Sequence, residues 1–101
     1  MADGLDQTNL GVRLSGRLIC SSEQEAEAVR RHLSEHIDLT RAEPGCISFD
    51  VYPTGDPLIW TVEEHFQDRD SFTSHQERIR ESAWGAATAQ IARDYKVTGL
   101  D

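Results

Sequence analysis

Between Ser22 and Phe66 the spacing of apolar residues changes from steps of three and four to steps of two, and the change falls at Pro44-Gly45. Ala26, Val29, Leu33, Ile37 and Thr40 recur at helical period and predict one apolar stripe on a helix of roughly five turns. Ser21 and Ser22 offer N-cap hydroxyls, and Ser22 with Glu25 has capping-box spacing. Glu23 and Glu25 lie where the helix dipole favours negative charge. The helix has to stop before Pro44, because a residue preceding proline avoids helical angles. Beyond Gly45, Ile47, Phe49 and Val51 alternate with Ser48, Asp50 and Tyr52, as in a strand. Pro53, Thr54, Gly55, Asp56 and Pro57 form a dense turn cluster, and residues 58–66 follow with Trp60, Val62, Glu64 and Phe66 on one face. Two strands across so short a turn make an antiparallel hairpin.

The flanking segments complete the pattern. Val12, Leu14, Gly16, Leu18 and Cys20 alternate with Arg13, Ser15, Arg17 and Ile19, a strand with one better-buried face. After the hairpin, Asp68 or Asp70 can cap a helix on which Phe72, His75 (or Gln76) and Ile79 share a face, with Trp84 further on. Gly85 is a candidate break, residues 86–92 read as helical again, and residues 95–100 as a last strand. The order is β-α-β-β-α-β, the split βαβ or ferredoxin-like arrangement. The expected fold is therefore α+β, with two helices over one face of a four-stranded antiparallel sheet. Residues 1–10 read as a loose tail and residues 11–101 as a single domain. Ile19, Ile59 and Thr61 fall on the other face of the sheet, which predicts that two copies pair sheet to sheet.

The bulk numbers narrow the partners. A chain of 101 residues supports one core, and 38% hydrophobic with 28% charged residues suits a soluble domain. A net charge of −8, from 10 basic and 18 acidic side chains, repels a polyanion, and the Arg30-Arg31-His32 cluster is flanked by acids. Nucleic acid is not an expected partner. No apolar run approaches the roughly 20 residues of a membrane helix, and residues 1–10 do not read as a signal peptide, so no membrane association and a cytoplasmic location are expected. Cys20 and Cys46 have no metal-motif spacing. Their strands would be separated by another, about 10 Å apart, beyond disulfide reach.

Two stretches resemble the antibiotic biosynthesis monooxygenase family. Thr40-Arg41-Ala42-Glu43-Pro44-Gly45-Cys46-Ile47-Ser48-Phe49 is similar to its helix-to-strand junction. Glu64-His65-Phe66-Gln67-Asp68, then Phe72 and His75, is similar to its strand-end acid, aromatic, helix cap and helix histidine. The resemblance spans about residues 12–99. It implies a dimeric α+β barrel with an apolar pocket between sheet and helices. It also implies that some relatives oxidise quinols or aromatic polyketides with O2 and no cofactor, while others degrade haem or process small signalling molecules. Haem-degrading relatives use an asparagine on the first strand and a tryptophan at the end of the third. Here Val12 to Arg17 contains no asparagine, the nearest being Asn9, and Phe66 holds the tryptophan position.

Oxidation without a cofactor requires a substrate that itself supplies electrons to O2, which a phenol does far better once deprotonated. Such a site needs a base, a dry aromatic pocket and a donor for the developing oxyanion. His75 is the candidate base and Glu64 its candidate orienting partner; each could equally serve stability alone. Trp60, Phe66, Phe72, Trp84 and Phe49 are candidate walls, although aromatics at this spacing also build cores. Tyr52 is a candidate donor near a turn, and His36, on the flank of the first helix, a candidate pocket residue that reads more simply as solvated. His32-Leu33-Ser34-Glu35-His36 matches the H-x-x-E-H zinc pattern. Because Leu33 belongs to the buried stripe and the rest spread around it, no metal is expected. Three functions follow: a cofactor-free monooxygenase acting on a small quinol or aromatic polyketide, a dimeric binder or isomerase using the same pocket, or a domain kept for pairing only.

Overall fold

A computed structural model describes residues 11–100, so the reading of residues 1–10 as a loose tail lies outside the described residues. The elements are β1 (Val12–Ile19), α1 (Glu23–Arg41), β2 (Cys46–Pro53), β3 (Ile59–Phe66), α2 (Arg69–Arg80), α3 (Ala83–Thr88) and β4 (Ala92–Thr98). All four strands pair antiparallel in the order β2-β3-β1-β4, the ferredoxin-like topology, with one helix more than expected.

The ends of α1 and α2 follow their local chemistry. Ser22 caps α1, its hydroxyl accepting from the Glu25 backbone N–H at 3.2 Å. The Glu25 carboxylate reaches one residue further back, taking the Ser21 N–H at 2.7 Å, so the capping box closes on Ser21 instead of Ser22. Asp68, not Asp70, caps α2, accepting from Ser71 N–H at 2.8 Å. Each such cap is worth about 1 kcal/mol.

The core lies between the helices and one sheet face. Val12, Leu14 and Leu18 of β1, Phe49 and Val51 of β2, and Trp60, Val62 and Phe66 of β3 meet Ala26 and Val29 of α1, Phe72 of α2 and Trp84 of α3. Register builds the helix-facing side: Leu14 opposes Glu64 and Val97, two residues along Gly16 opposes Val62 and Tyr95, and Arg13, Ser15 and Arg17 fall on the other side.

Four expectations change. A β-bulge between Cys46 and Ser48 takes Ile47 out of the alternation, leaving it 56% exposed instead of beside Phe49. The second helix breaks at Glu81-Ser82, where Ser82 caps α3 by accepting from Gly85 N–H at 3.0 Å. Gly85 therefore lies inside α3, and its role is close packing: a Cβ there would stand 1.9 Å from the carbonyl oxygen of Ile79. The helix ends at Thr88 and β4 begins at Ala92, because Arg93 donates to the Thr88 and Ile91 carbonyls at 2.7 and 2.9 Å and ties off the helix end. Among the described residues, the sheet face away from the helices is also more polar than expected. Arg13, Arg17, Glu63, Asp94 and Lys96 occupy it, with Arg17 and Asp94 paired at 3.4 Å, and the apolar part is the corner holding half-buried Ile19, Ile59 and Thr61.

Gly85→Ala is expected to destabilise the fold by roughly 2 kcal/mol or more, since backbone has to move to relieve the clash. Ala83→Gly, exposed at the first position of the same helix, is expected to cost less than about 1 kcal/mol, the figure for a helix interior. Urea denaturation of both variants checks the difference; equal losses would contradict the packing role.

Candidate active site

The site begins with the stripe of α1. Val29, His36 and Thr40 are all buried on it, so His36 stands within the apolar face and not on its solvated flank as expected. From α2, one turn after Phe72, His75 reaches the same region with no exposed surface at all. Gln76, the alternative to His75, is exposed. From β3, the alternation that buries Val62 and Phe66 also buries Glu64, which is 8% exposed.

A buried imidazole needs a partner, and for His75 it is Glu43, in the loop after α1. His75 Nδ1 lies 3.0 Å from Glu43 Oε1. The other Glu43 oxygen accepts from Arg78 Nε, one helical turn along from His75, and Arg78 Nη2 donates to Thr40 Oγ1 at 2.9 Å. A carboxylate paired with a guanidinium is ionised and accepts only, so Nδ1 carries the proton in that bond. That leaves the lone pair of neutral His75 on Nε2. Nε2 faces Glu64 Oε1 at 3.8 Å, longer than a hydrogen bond. Among the described residues, neither atom has a hydrogen-bond partner, and His36 Nδ1 is the third buried side-chain polar atom in that condition.

Rings surround this polar line. His75 packs on Phe66 with centroids 4.7 Å apart and on Phe49 at 5.7 Å. His36 lies flat on Trp84, centroids 4.5 Å apart and planes within 4°, and meets Phe49 edge to face at 5.1 Å. Between the sheet and the α2–α3 pair is a cavity of about 460 Å³, within the range of small-molecule sites. Leu14, Val51, Val62 and Ile79 supply apolar lining, Phe49, Trp84 and Tyr95 aromatic lining, and Glu64, His36, Gln76, Arg80 and Arg93 the polar groups.

The surroundings shift each titrating group. Burial, reinforced by the nearby Glu43 charge and opposed by Arg93, pushes the Glu64 carboxyl up to about 7. Burial holds His75 below its ordinary value even though Glu43 pulls it upward. Burial, with positive neighbours adding to it, pushes His36 down to about 3. Burial also raises the Tyr95 hydroxyl to about 12. At neutral pH both imidazoles are therefore neutral, and Glu64 is poised between its two forms.

The candidate residues divide clearly. Glu64, His36, Phe49 and Trp84 line the cavity, and His75 stands behind Glu64 without reaching the lining. Trp60, Phe66 and Phe72 are buried core residues that do not line this cavity; Phe72 lines a separate, more open pocket with Arg69, Thr73, Gln76 and Leu100. Tyr52 is 44% exposed, because strand alternation puts it on the sheet face opposite Phe49 and Val51. Glu64 does not orient His75; Glu43 does. Glu43 and Arg78 were not singled out by the sequence reading, although Glu43 lies in the Thr40 to Phe49 stretch. Cys20 and Cys46 are free thiols on or beside strands separated by β3. Among the described residues, no three His, Cys, Asp or Glu side chains are grouped to hold a metal ion, and no helix is long and apolar enough to cross a membrane.

This fold, with a partly open, aromatic-lined cavity bounded by a buried acid and a buried histidine, is that of a small α+β domain. Residues 20–88 match the sequence pattern of the antibiotic biosynthesis monooxygenase family, and the chain belongs to that family. A candidate antibiotic biosynthesis monooxygenase from Nitrosomonas europaea has the same fold, with a TM-score of 0.75 at 20% identity over 87% of this chain and 96% of that one. MupZ from Pseudomonas fluorescens gives a TM-score of 0.72 at 21% identity, covering 88% and 67% of the two chains. Rv0793 from Mycobacterium tuberculosis gives 0.67 at 26% identity, covering 86% and 91%. No curated protein is significantly similar in sequence.

A carboxyl whose pKa is higher folded than unfolded binds its proton more tightly in the folded state. Stability then falls as pH rises between the unfolded and folded values, here from 4.5 to about 7. Glu64→Gln removes this loss. Over that window the stability of the variant relative to wild type is expected to improve by about 3 kcal/mol. Urea denaturation across the range measures it; a constant difference would show that Glu64 titrates normally.

Proposed function

We propose that this protein is a cofactor-independent monooxygenase that oxidises a small quinol or hydroxylated aromatic with O2. Glu64 acts as the base that contacts substrate, and His75 as the group that tunes it. The carrying observation is that Glu64 lines an aromatic-walled cavity while its Oε1, which has no hydrogen bond, turns back towards the lone pair of a neutral His75 at 3.8 Å.

The chemistry uses what those groups can do. Glu64 takes the proton of a substrate hydroxyl, and a protonated Glu64 gains a hydrogen bond to His75 Nε2 after a small approach. The phenolate left behind passes one electron to O2, and the resulting radicals join at a ring carbon as a peroxide. Glu64 returns its proton to the peroxide, whose O–O bond then breaks. The ring carbon loses its hydrogen, the departing oxygen leaves as water, and a ring carbonyl remains. The substrate is oxidised, one oxygen atom is retained and the other becomes water, with no outside reductant. The apolar and aromatic part of the lining lowers the local polarity around the phenolate and strengthens each electrostatic contact.

The family assignment supports this reading, as does the match between the cavity lining and an aromatic ring. Assembly as a homodimer through the uncovered sheet face forms part of the proposal, supported by the half-buried corner at Ile19 and Ile59. Sedimentation equilibrium is expected to give twice the chain mass, and a monomer would remove that part.

Oxygen uptake with menadiol-like quinols is the direct test. Wild type is expected to exceed the buffer rate, with kcat/KM rising through an inflection near 7 as Glu64 ionises. Glu64→Gln is expected to lower it roughly 10²-fold or more. His75→Phe, which keeps the packing, is expected to lower it less and to move the inflection. No uptake across several quinols would reject oxygenase activity, and aromatic binding without turnover would point to a binding protein.

A further inference from the structure

Removing a proton from a substrate hydroxyl puts a negative charge on its oxygen, and a donor has to meet that charge. Tyr52 cannot, because it lies on the sheet face away from the cavity. The other tyrosine, Tyr95 of β4, lines the cavity and is only partly buried. Strand register places it. Tyr95 pairs with Gly16 of β1, and Gly16 pairs with Val62 of β3, so the three lie in one row on the helix-facing side. Gly16 has no side chain, so nothing of β1 stands between Tyr95 and Val62 in that row. Glu64 is on the same face two residues beyond Val62, about 12 Å from Tyr95 between α-carbons by strand spacing. Across that gap a glutamate and a tyrosine are long enough to meet at one ligand oxygen.

Arg93, the neighbouring residue on the inward side of β4, lies beside the Tyr95 hydroxyl. It is itself fixed: Nη1 donates to the Thr88 and Ile91 carbonyls at 2.7 and 2.9 Å, and Nη2 to the Thr88 hydroxyl at 2.9 Å. A guanidinium has donors only, so towards Arg93 the Tyr95 oxygen can act only as acceptor. Its own O–H is left to point elsewhere, and the cavity it lines is where an acceptor would arrive. We infer that Tyr95 is a second catalytic residue, which donates a hydrogen bond to the substrate oxygen from which Glu64 removes the proton. The inference rests on the proposed reading and deepens it by naming the group that meets the developing charge. Burial, opposed by Arg93 and aided by the Glu64 charge, raises the Tyr95 hydroxyl to about 12. An ordinary phenol ionises at about 10, so Tyr95 keeps its proton while the substrate loses one. The substrate O–H bond breaks, its proton passes to Glu64, and Tyr95 transfers nothing. The Arg93 charge behind the Tyr95 oxygen polarises the O–H and strengthens it as a donor.

The test is binding of ionised 4-nitrophenol, read by its phenolate absorbance, and of uncharged 4-nitroanisole, read by tryptophan fluorescence. Both are measured in Glu64→Gln, which removes the base and its charge, and in the same variant carrying Tyr95→Phe, which keeps the ring and its packing. Loss of the donor is expected to weaken phenolate binding about tenfold, the worth of a hydrogen bond to a charged oxygen, and anisole binding by less than about twofold. Unchanged phenolate binding, a loss shared equally by both probes, or failure of Glu64→Gln to bind either probe would overturn the inference. In oxygen uptake with menadiol-like quinols, Tyr95→Phe alone is expected to lower kcat about 10²-fold. An unchanged kcat would overturn the donor and leave Glu64 standing. Wild type without uptake, together with the expected phenolate result, would reject the oxygenase reading while supporting Tyr95 as the donor to a bound phenolate.

Discussion

The arrangement depends on the contact between Glu43 and His75. An imidazole with no exposed surface is unfavourable in an apolar interior unless its N–H is used, and the Glu43 carboxylate uses it at 3.0 Å. Glu43 would itself be a poor neighbour for that interior were it not paired with Arg78, which in turn is held by Thr40 at the end of α1. The chain of contacts therefore runs from two helices and the loop between α1 and β2 to a single nitrogen lone pair aimed at Glu64. Removing any member leaves a charge or a donor unmatched, a change that commonly costs several kcal/mol for buried pairs.

From this contact the electrostatics of the cavity follow. Glu43 is close enough to discourage a second negative charge at Glu64, and burial adds to the effect. The acid is thereby tuned to neutrality, where a group that both takes and returns a proton works best. The two histidines share one environment and differ in outcome: His75 has Glu43, while His36 has only aromatic rings and positive neighbours. Packing, not charge, determines where His36 points.

Much of this was legible in the sequence because periodicity reports burial. The stripe of α1, the hairpin, and the inward faces of β1 and β3, including Glu64, follow from spacing alone. A stripe drawn through Leu33 and Ile37 leaves His36 on its flank, whereas 29, 33, 36 and 40 are themselves at helical steps and place it within the buried face. The Ile47 bulge, the Ser82 break and the use of Gly85 are tertiary in origin: they depend on how β2 and α3 meet their neighbours. Glu43 could not be singled out because its partners are 32 and 35 residues away, and an acid in a loop ordinarily reads as solvated. The division between core and cavity among Trp60, Phe66, Phe72 and Trp84 likewise needs three-dimensional placement, since all four satisfy the same spacing rules.

The central claim is that Glu43 holds His75 neutral, with its proton on Nδ1 and its lone pair on Nε2 facing Glu64. Nitrogen-15 NMR of the imidazole side chains tests it directly. The account predicts a His75 signal pair for a protonated Nδ1 and an unprotonated Nε2, unchanged at neutral pH and titrating only below the ordinary histidine value of 6.5. A proton on Nε2, or titration at or above that value, would contradict it.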